Sequence, residues 1–153
     1  MSPQREVWLR RIATALLVAL GGWSGVSIDH WMQQELELVR YQSVIQEIAS
    51  LMRAMPARAK AKQTIVRLRV DPSRGLLQLT ALRDGPASYE TVEDTIWLPE
   101  GLQIHAAPGA FTALPTGQRS SSFLMIAAPA HQKLFRFTTG SDGIVRLEEE
   151  PLS

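Results

Sequence analysis

The stretch Trp31–Met55, WMQQELELVRYQSVIQEIASLMRAM, decides the architecture. Leu38, Tyr41, Ile45, Ile48, Met52 and Met55 recur at alternating spacings of three and four, which winds them into one apolar stripe along a helix. Glu35, Glu37, Arg40, Gln42, Gln46, Glu47 and Arg53 form the opposite, polar side. A stripe of that length needs a surface to cover, and these six residues are expected to pack on a sheet. Pro56 follows and reads as the stop or a kink, because it has no N–H to donate and its ring crowds the preceding turn.

On the N-terminal side, Ile12 to Ile28 (IATALLVALGGWSGVSI) contains no charged residue. Arg5, Arg10 and Arg11 precede it and Asp29 closes it. At helical rise it spans roughly 26 Å, just short of a hydrocarbon core of about 30 Å. Three readings fit: an uncleaved anchor, a cleaved signal peptide with its apolar core at Ile12–Leu20, or a buried helix of a soluble protein. The first two place the bulk of the chain outside the cytoplasm, since the basic flank is N-terminal. Trp8 and Trp31 stand near the two ends of the span, where indoles favour a membrane interface. With no proline between Ile12 and Met55, anchor and stripe can form one long helix.

On the C-terminal side the period changes from 3.6 to two. Thr64–Val70 alternates, Asp71–Gly75 turns, and Leu76–Leu82 returns as the second arm of a hairpin. Glu90–Asp94 reads as an acidic connection before a short strand, Thr95–Leu98, with Trp97 assigned to the core. Leu102–His105 is another short strand, and Ala106–Ser120, with two prolines and two glycines, an irregular excursion. Phe123–Ala128, Lys133–Thr138 and Ile144–Leu147 complete the set, the last two joined by the turn Gly140–Gly143. The fold class is therefore α+β: a long N-terminal helix packed on about six or seven antiparallel strands. The organisation divides into residues 1–28 as a membrane anchor, 29–61 as an amphipathic helix and 62–153 as a β-rich exported domain.

Composition narrows the function. The 153 residues are 45% hydrophobic and 20% charged, enough for a packed core, and 16 Lys+Arg against 15 Asp+Glu argue against a globally basic nucleic-acid binder. The absence of cysteine excludes disulfides, thiolate metal sites and cysteine nucleophiles. His30, His105 and His131 are far apart in sequence, and no nucleophile elbow, P-loop or dinucleotide fingerprint is present. Ser120–Ser122 reads as the start of a strand. Acidic residues at Asp84, Asp142 and Glu90/Glu93/Asp94 suit turns better than a calcium cage. No enzyme activity, metal or cofactor is expected.

One charge pattern stands out. No acid occurs between Glu47 and Asp71, where Arg53, Arg58, Lys60, Lys62, Arg67 and Arg69 gather at the junction of helix and first hairpin. This cluster is a solvated face, a phosphate-attracting patch, or an electrostatic contact for an acidic surface of a neighbouring subunit such as Glu148–Glu150. Aromatic interleaving of the kind that binds single-stranded nucleic acid is missing, which favours the subunit contact over DNA.

The order of elements resembles the type IV pilin-like proteins, and within them the GspH/FimT type of minor pseudopilin. A basic helix end running into Thr64-Ile65-Val66-Arg67-Leu68 carries the likeness. So do Ile96-Trp97-Leu98-Pro99-Glu100-Gly101-Leu102, similar to that family's LP-x-G segment, and Gly143-Ile144-Val145-Arg146-Leu147, similar to its GRVRL ending. The processing motif of pilin precursors, G-F-T-L-x-E, does not occur, and no processing residue is assigned. The resemblance implies a structural subunit of a type II secretion or type IV pilus-type machine. It would sit in the bacterial inner membrane by a single pass, with a periplasmic C-terminal domain. Its partners would be other pilin-like subunits or secretion-platform proteins, and membrane lipid along residues 12–28. Ile12, Leu16, Leu17, Ala19 and Leu20 are the expected assembly surface on the helix. Two alternatives are a bitopic scaffold whose stripe forms a coiled coil, and an exported module that binds DNA or polysaccharide.

Overall fold

The computed structural model describes residues 3–83, 89–106, 111–120, 122–140 and 142–152; for residues 3–30 and Ala106 the backbone alone is described. Helix α1 spans Pro3–Lys62. Among the described residues eight strands follow: β1 Val66–Asp71, β2 Leu76–Arg83, β3 Tyr89–Trp97, β4 Gln103–Ala106, β5 Phe111–Ala113, β6 Ser122–Ala128, β7 Lys133–Thr139 and β8 Val145–Pro151. The chain divides into two compact units, Met1–Val39 and Arg40–Ser153. The first is helical throughout its described length. The second holds the rest of α1 and all the strands.

In the second unit the strands form two four-stranded sheets, ordered β3-β2-β1-β5 and β4-β6-β7-β8. Every pairing is antiparallel. Tyr41, Ile45, Ile48, Met52, Met55 and Ala59 of α1 share one buried cluster with the inner faces of both sheets, among them Leu68, Leu77, Leu79, Leu124, Ile126, Phe135 and Phe137. Leu38, also assigned to this stripe, is half-buried and belongs to the first unit.

The helix does not stop at Pro56 but runs to Lys62. Losing the N–H of an interior proline costs about 3 kcal/mol. Here Met52 and Met55 before it and Ala59 after it are buried in the core, so packing holds the last turns helical. The true stop is Gln63, in the left-handed region at φ 51°. Its N–H donates to the Lys60 carbonyl at 3.3 Å, and the Thr64 N–H to the Ala59 carbonyl at 3.1 Å. That bond pair is a Schellman cap, made by glutamine where glycine is the usual residue.

Two further expectations are corrected. Glu90–Asp94 is not a connection but the body of β3. Leu79 pairs with Asp94 and Thr80 with Val92, so Glu93 is an extra, bulged residue that breaks the period-two signal. Trp97 is not in the core and is 62% exposed. Its neighbour Ile96 faces Leu77 on the inner side, which sends Trp97 to the outer face opposite Leu76. Within the excursion Ala106–Ser120, β5 pairs with β1 through Val66–Ala113 and Leu68–Phe111.

Candidate interaction surface

Three features of the described residues can meet another molecule: an apolar helix face, a charged sheet margin and an open groove.

In the first unit, Met32, Leu36 and Val39 are 50%, 66% and 60% exposed. Spacings of four and three place them on one side of α1, a second apolar stripe distinct from the one that continues into the core. Trp31 is also exposed. The sequence pattern makes the side of the helix away from the core stripe a polar one, with Glu35, Glu37, Arg40, Gln42, Gln46, Glu47 and Arg53. The signal that marks the second stripe is the i, i+4, i+7 spacing itself. The side chains of Ile12, Leu16, Leu17, Ala19 and Leu20, the expected assembly surface, lie outside the described residues. So do the other side chains of the uncharged span Ile12–Ile28, whose backbone is helical. Among the described residues no helix is long and apolar enough to cross a membrane.

In the second unit the basic cluster meets acids of its own chain. Arg67 Nη1 lies 2.7 Å from Glu90 Oε1 and Arg69 Nε 3.1 Å from Glu90 Oε2, while the Thr80 hydroxyl donates to the same carboxylate at 3.4 Å. Lys62 pairs with Glu93, and Arg58 reaches Asp94 at 4.0 Å. The bulged β3 therefore lays three carboxylates along four of the six cations. Arg53 and Lys60 are exposed and form no ion pair among the described residues. The three acids were visible in the sequence as a matching cluster some twenty residues downstream, but only the β2–β3 pairing brings them beside β1 and the helix end. The C-terminal acids likewise have partners on β7: Glu149 with Lys133 at 2.5 Å and Glu150 with Arg136 at 3.2 Å.

Arg119 tethers the helix. Its Nη2 donates to the Arg53 carbonyl at 3.1 Å, and burial pushes its pKa down from the ordinary arginine value. It adjoins a small void of about 10 Å³ between α1 and β5, lined by Met52, Met55 and Phe111. At the other end of the core the Tyr41 hydroxyl donates to the Glu100 carbonyl at 2.8 Å, and its ring meets His131 edge-on with centroids 5.4 Å apart. His105 is exposed, and the side chain of His30 lies outside the described residues. No group of three metal-binding side chains occurs among the described residues. Ser120 serves the backbone: its hydroxyl accepts from the Thr112 N–H at 3.0 Å and its carbonyl from Thr139 at 2.9 Å. The groove lies between α1 and the last two strands. It measures about 440 Å³ and is lined by Gln42, Ile45, Gln46, Phe135, Leu147 and Glu149.

No protein-family model and no curated protein matches the chain. Solved structures do. The structure of the minor pseudopilin EpsH from the type 2 secretion system of Vibrio cholerae superposes with a TM-score of 0.60 at 19% identity, covering 71% of this chain and 95% of that one. A crystal structure of the same Vibrio cholerae protein gives 0.56 at 17% identity with the same coverage. At such identities the likeness speaks for architecture. It agrees with the helix-on-sheet arrangement derived above, and the chain has the α+β fold of a minor pseudopilin.

Proposed function

We propose that the chain is a structural, non-enzymatic subunit of a type II secretion or type IV pilus-type assembly, associating with other pilin-like subunits through α1. The observation that carries this reading is the exposed face of Met32, Leu36 and Val39. Three large apolar residues on one side of a helix cost free energy in water, which burial against a neighbouring helix would recover at about 25 cal/mol per Å². The fold shared with EpsH, itself a minor pseudopilin of a type 2 secretion system, adds support. The uncharged span 12–28 would seat the helix in the inner membrane, with the sheet unit in the periplasm.

The alternatives have less support. A coiled-coil scaffold needs Tyr41, Ile45, Ile48, Met52 and Met55 free for a partner, and all five are buried in the chain's own core. A DNA- or polysaccharide-binding module needs a free basic patch, and β3 neutralises most of it.

Removing residues 1–39 and measuring co-purification from native membranes tests the proposal. The truncated chain should be a folded monomer that no longer brings down pilin-like subunits; unchanged association would reject assembly through the helix.

A further inference from the structure

We propose that the free edge of β8 is a docking site for an extended segment of a partner protein that carries basic side chains. The inference does not depend on assembly through α1, since the edge and the exposed helix face share no residue.

β8 ends its sheet, and among the described residues no strand pairs with its outer side. The ladder with β7 continues to Leu152, whose N–H donates to the Gln132 carbonyl at 2.8 Å. Antiparallel pairing alternates, so the main-chain groups of Glu150, Glu148 and Arg146 turn inward to β7. Those of Leu147 and Glu149 turn to the open edge. Pro151 offers no N–H there, which confines docking to the strand's first five residues. An added strand would extend the sheet and lay alternate side chains into the adjoining groove over Ile45, Phe135 and Leu147. Groove and edge together supply a seat that is half apolar and half polar, with Gln42, Gln46 and Glu149 at its sides, and outward backbone groups.

Charge selects the occupant. Glu148 is exposed and makes no direct ion pair among the described residues, although it lies opposite Arg136 on β7 and attracts Arg146; Glu149 and Glu150 are paired to Lys133 and Arg136. A second copy is a poor fit. β8 against β8 would bring two runs of three glutamates together, and β8 against the other long edge, β3, would meet Glu90, Glu93 and Asp94. Like charges opposed across a strand pair are destabilising. A strand with lysine or arginine facing Glu148 meets the opposite sign.

The test uses the full chain and labelled eight-residue peptides, read by fluorescence anisotropy. One peptide alternates Lys and Val, and one alternates Glu and Val. Two more repeat the Lys/Val sequence with backbone N-methyl groups on one or the other set of alternate residues. The Lys/Val peptide should bind about tenfold or more tightly than the Glu/Val peptide. Only one of the two N-methylated versions should lose binding, because only one edge of the peptide pairs. Glu149→Pro, which removes an outward N–H, should weaken binding about tenfold, whereas Glu149→Ala should stay within about twofold. Thermal unfolding checks that both variants fold. Should the proline variant unfold, the N-methylated pair carries the test on the unaltered chain. Equal binding of both N-methylated peptides, or no binding of any peptide up to millimolar concentration, overturns the proposal. So does concentration-dependent self-association of the chain that Glu149→Pro abolishes, which would name a second copy as the occupant.

Discussion

Tyr41 shows how much one side chain arranges. Its hydroxyl donates to the Glu100 carbonyl at 2.8 Å, and a Cβ on Gly101 would stand 2.6 Å from that oxygen, with the backbone at φ +92°. Gly101→Ala should therefore destabilise through both strain and collision, by about 2–4 kcal/mol. Tyr41→Phe loses one hydrogen bond, about 1 kcal/mol. In the double variant the hydroxyl is gone and the ring carbon that carried it, Cζ, stands 3.8 Å away, so the collision disappears and the two losses sum to less than their parts. Denaturant unfolding of the four proteins measures this; a strictly additive cycle would mean that hydroxyl and turn do not compete for the space. Asp142 governs an acid response. Its carboxylate is held below the usual value of 3.8, chiefly by the Arg146 guanidinium and then by the Ile144 N–H at 3.0 Å. A depressed folded-state pKa contributes stability that is present above the unfolded-state value and is lost as pH falls through the folded one. Asp142→Asn should thus be slightly less stable than the parent near pH 6, with the difference closing below about pH 3, as read by thermal melts. A difference that persists at acid pH would point to shape rather than charge. Neither residue's role was legible in the sequence, where Tyr41 was one member of a stripe and Asp142 one member of a turn.

At the scale of elements, the sequence spoke clearly wherever one face of an element was dry and the other wet. The α1 stripe and strand β1 have that character, and the buried residues of each recur at the period of its element. It spoke less clearly where a special conformation replaced the pattern. Glu93 adds a residue to β3 and hides its alternation, Gln63 takes a left-handed cap usually marked by glycine, and Pro56 sits inside a helix that the core holds together. Pro56 and the acids of β3 each supply a test. Pro56→Ala restores an N–H to the helix interior and should raise stability by about 1–3 kcal/mol in denaturant titration, less whatever proline contributes by stiffening the unfolded chain. A loss would show that the proline ring is itself packed to advantage. Neutralising β3 by Glu90→Gln, Glu93→Gln and Asp94→Asn releases Arg58, Lys62, Arg67 and Arg69. Exposed pairs contribute about 0.2–1 kcal/mol each, so the fold should survive. The released cations should then bind duplex DNA more tightly than the parent, with an affinity that falls steeply as salt rises. Equal and weak binding by both proteins would mean that the four cations do not form a continuous patch even when free.

The arrangement of the whole molecule was legible in order but not in pairing. Helix first and strands after, with the short likenesses at residues 64–68, 96–102 and 143–147, pointed to the pilin-like fold that the structural comparison supports. The division into two sheets was hidden, because β3, β4, β5 and β6 belong to alternate sheets and the β1–β5 pairing joins residues more than forty apart. Periodicity reports which face of a segment is dry and carries no information about which segment dries it. That distinction separates two apolar faces of α1 with different fates. Ile48 is fully buried in the core, whereas Leu36 is two-thirds exposed. Ile48→Asn should cost about 3–5 kcal/mol through a lost core side chain and a buried amide with few partners, and should cripple the fold. Leu36→Asn should leave the stability almost unchanged, within about 0.5 kcal/mol, because most of its side chain already stands in water. If α1 assembles with neighbouring helices, that silent change should nevertheless reduce recovery of partner subunits from membranes by about tenfold, with Met32→Asn and Val39→Asn behaving alike. Folding and partner recovery measured side by side make the outcomes distinct. A Leu36→Asn chain that keeps all its partners would leave the exposed stripe without a role in assembly, while one that unfolds would mean that the stripe belongs to an internal contact instead.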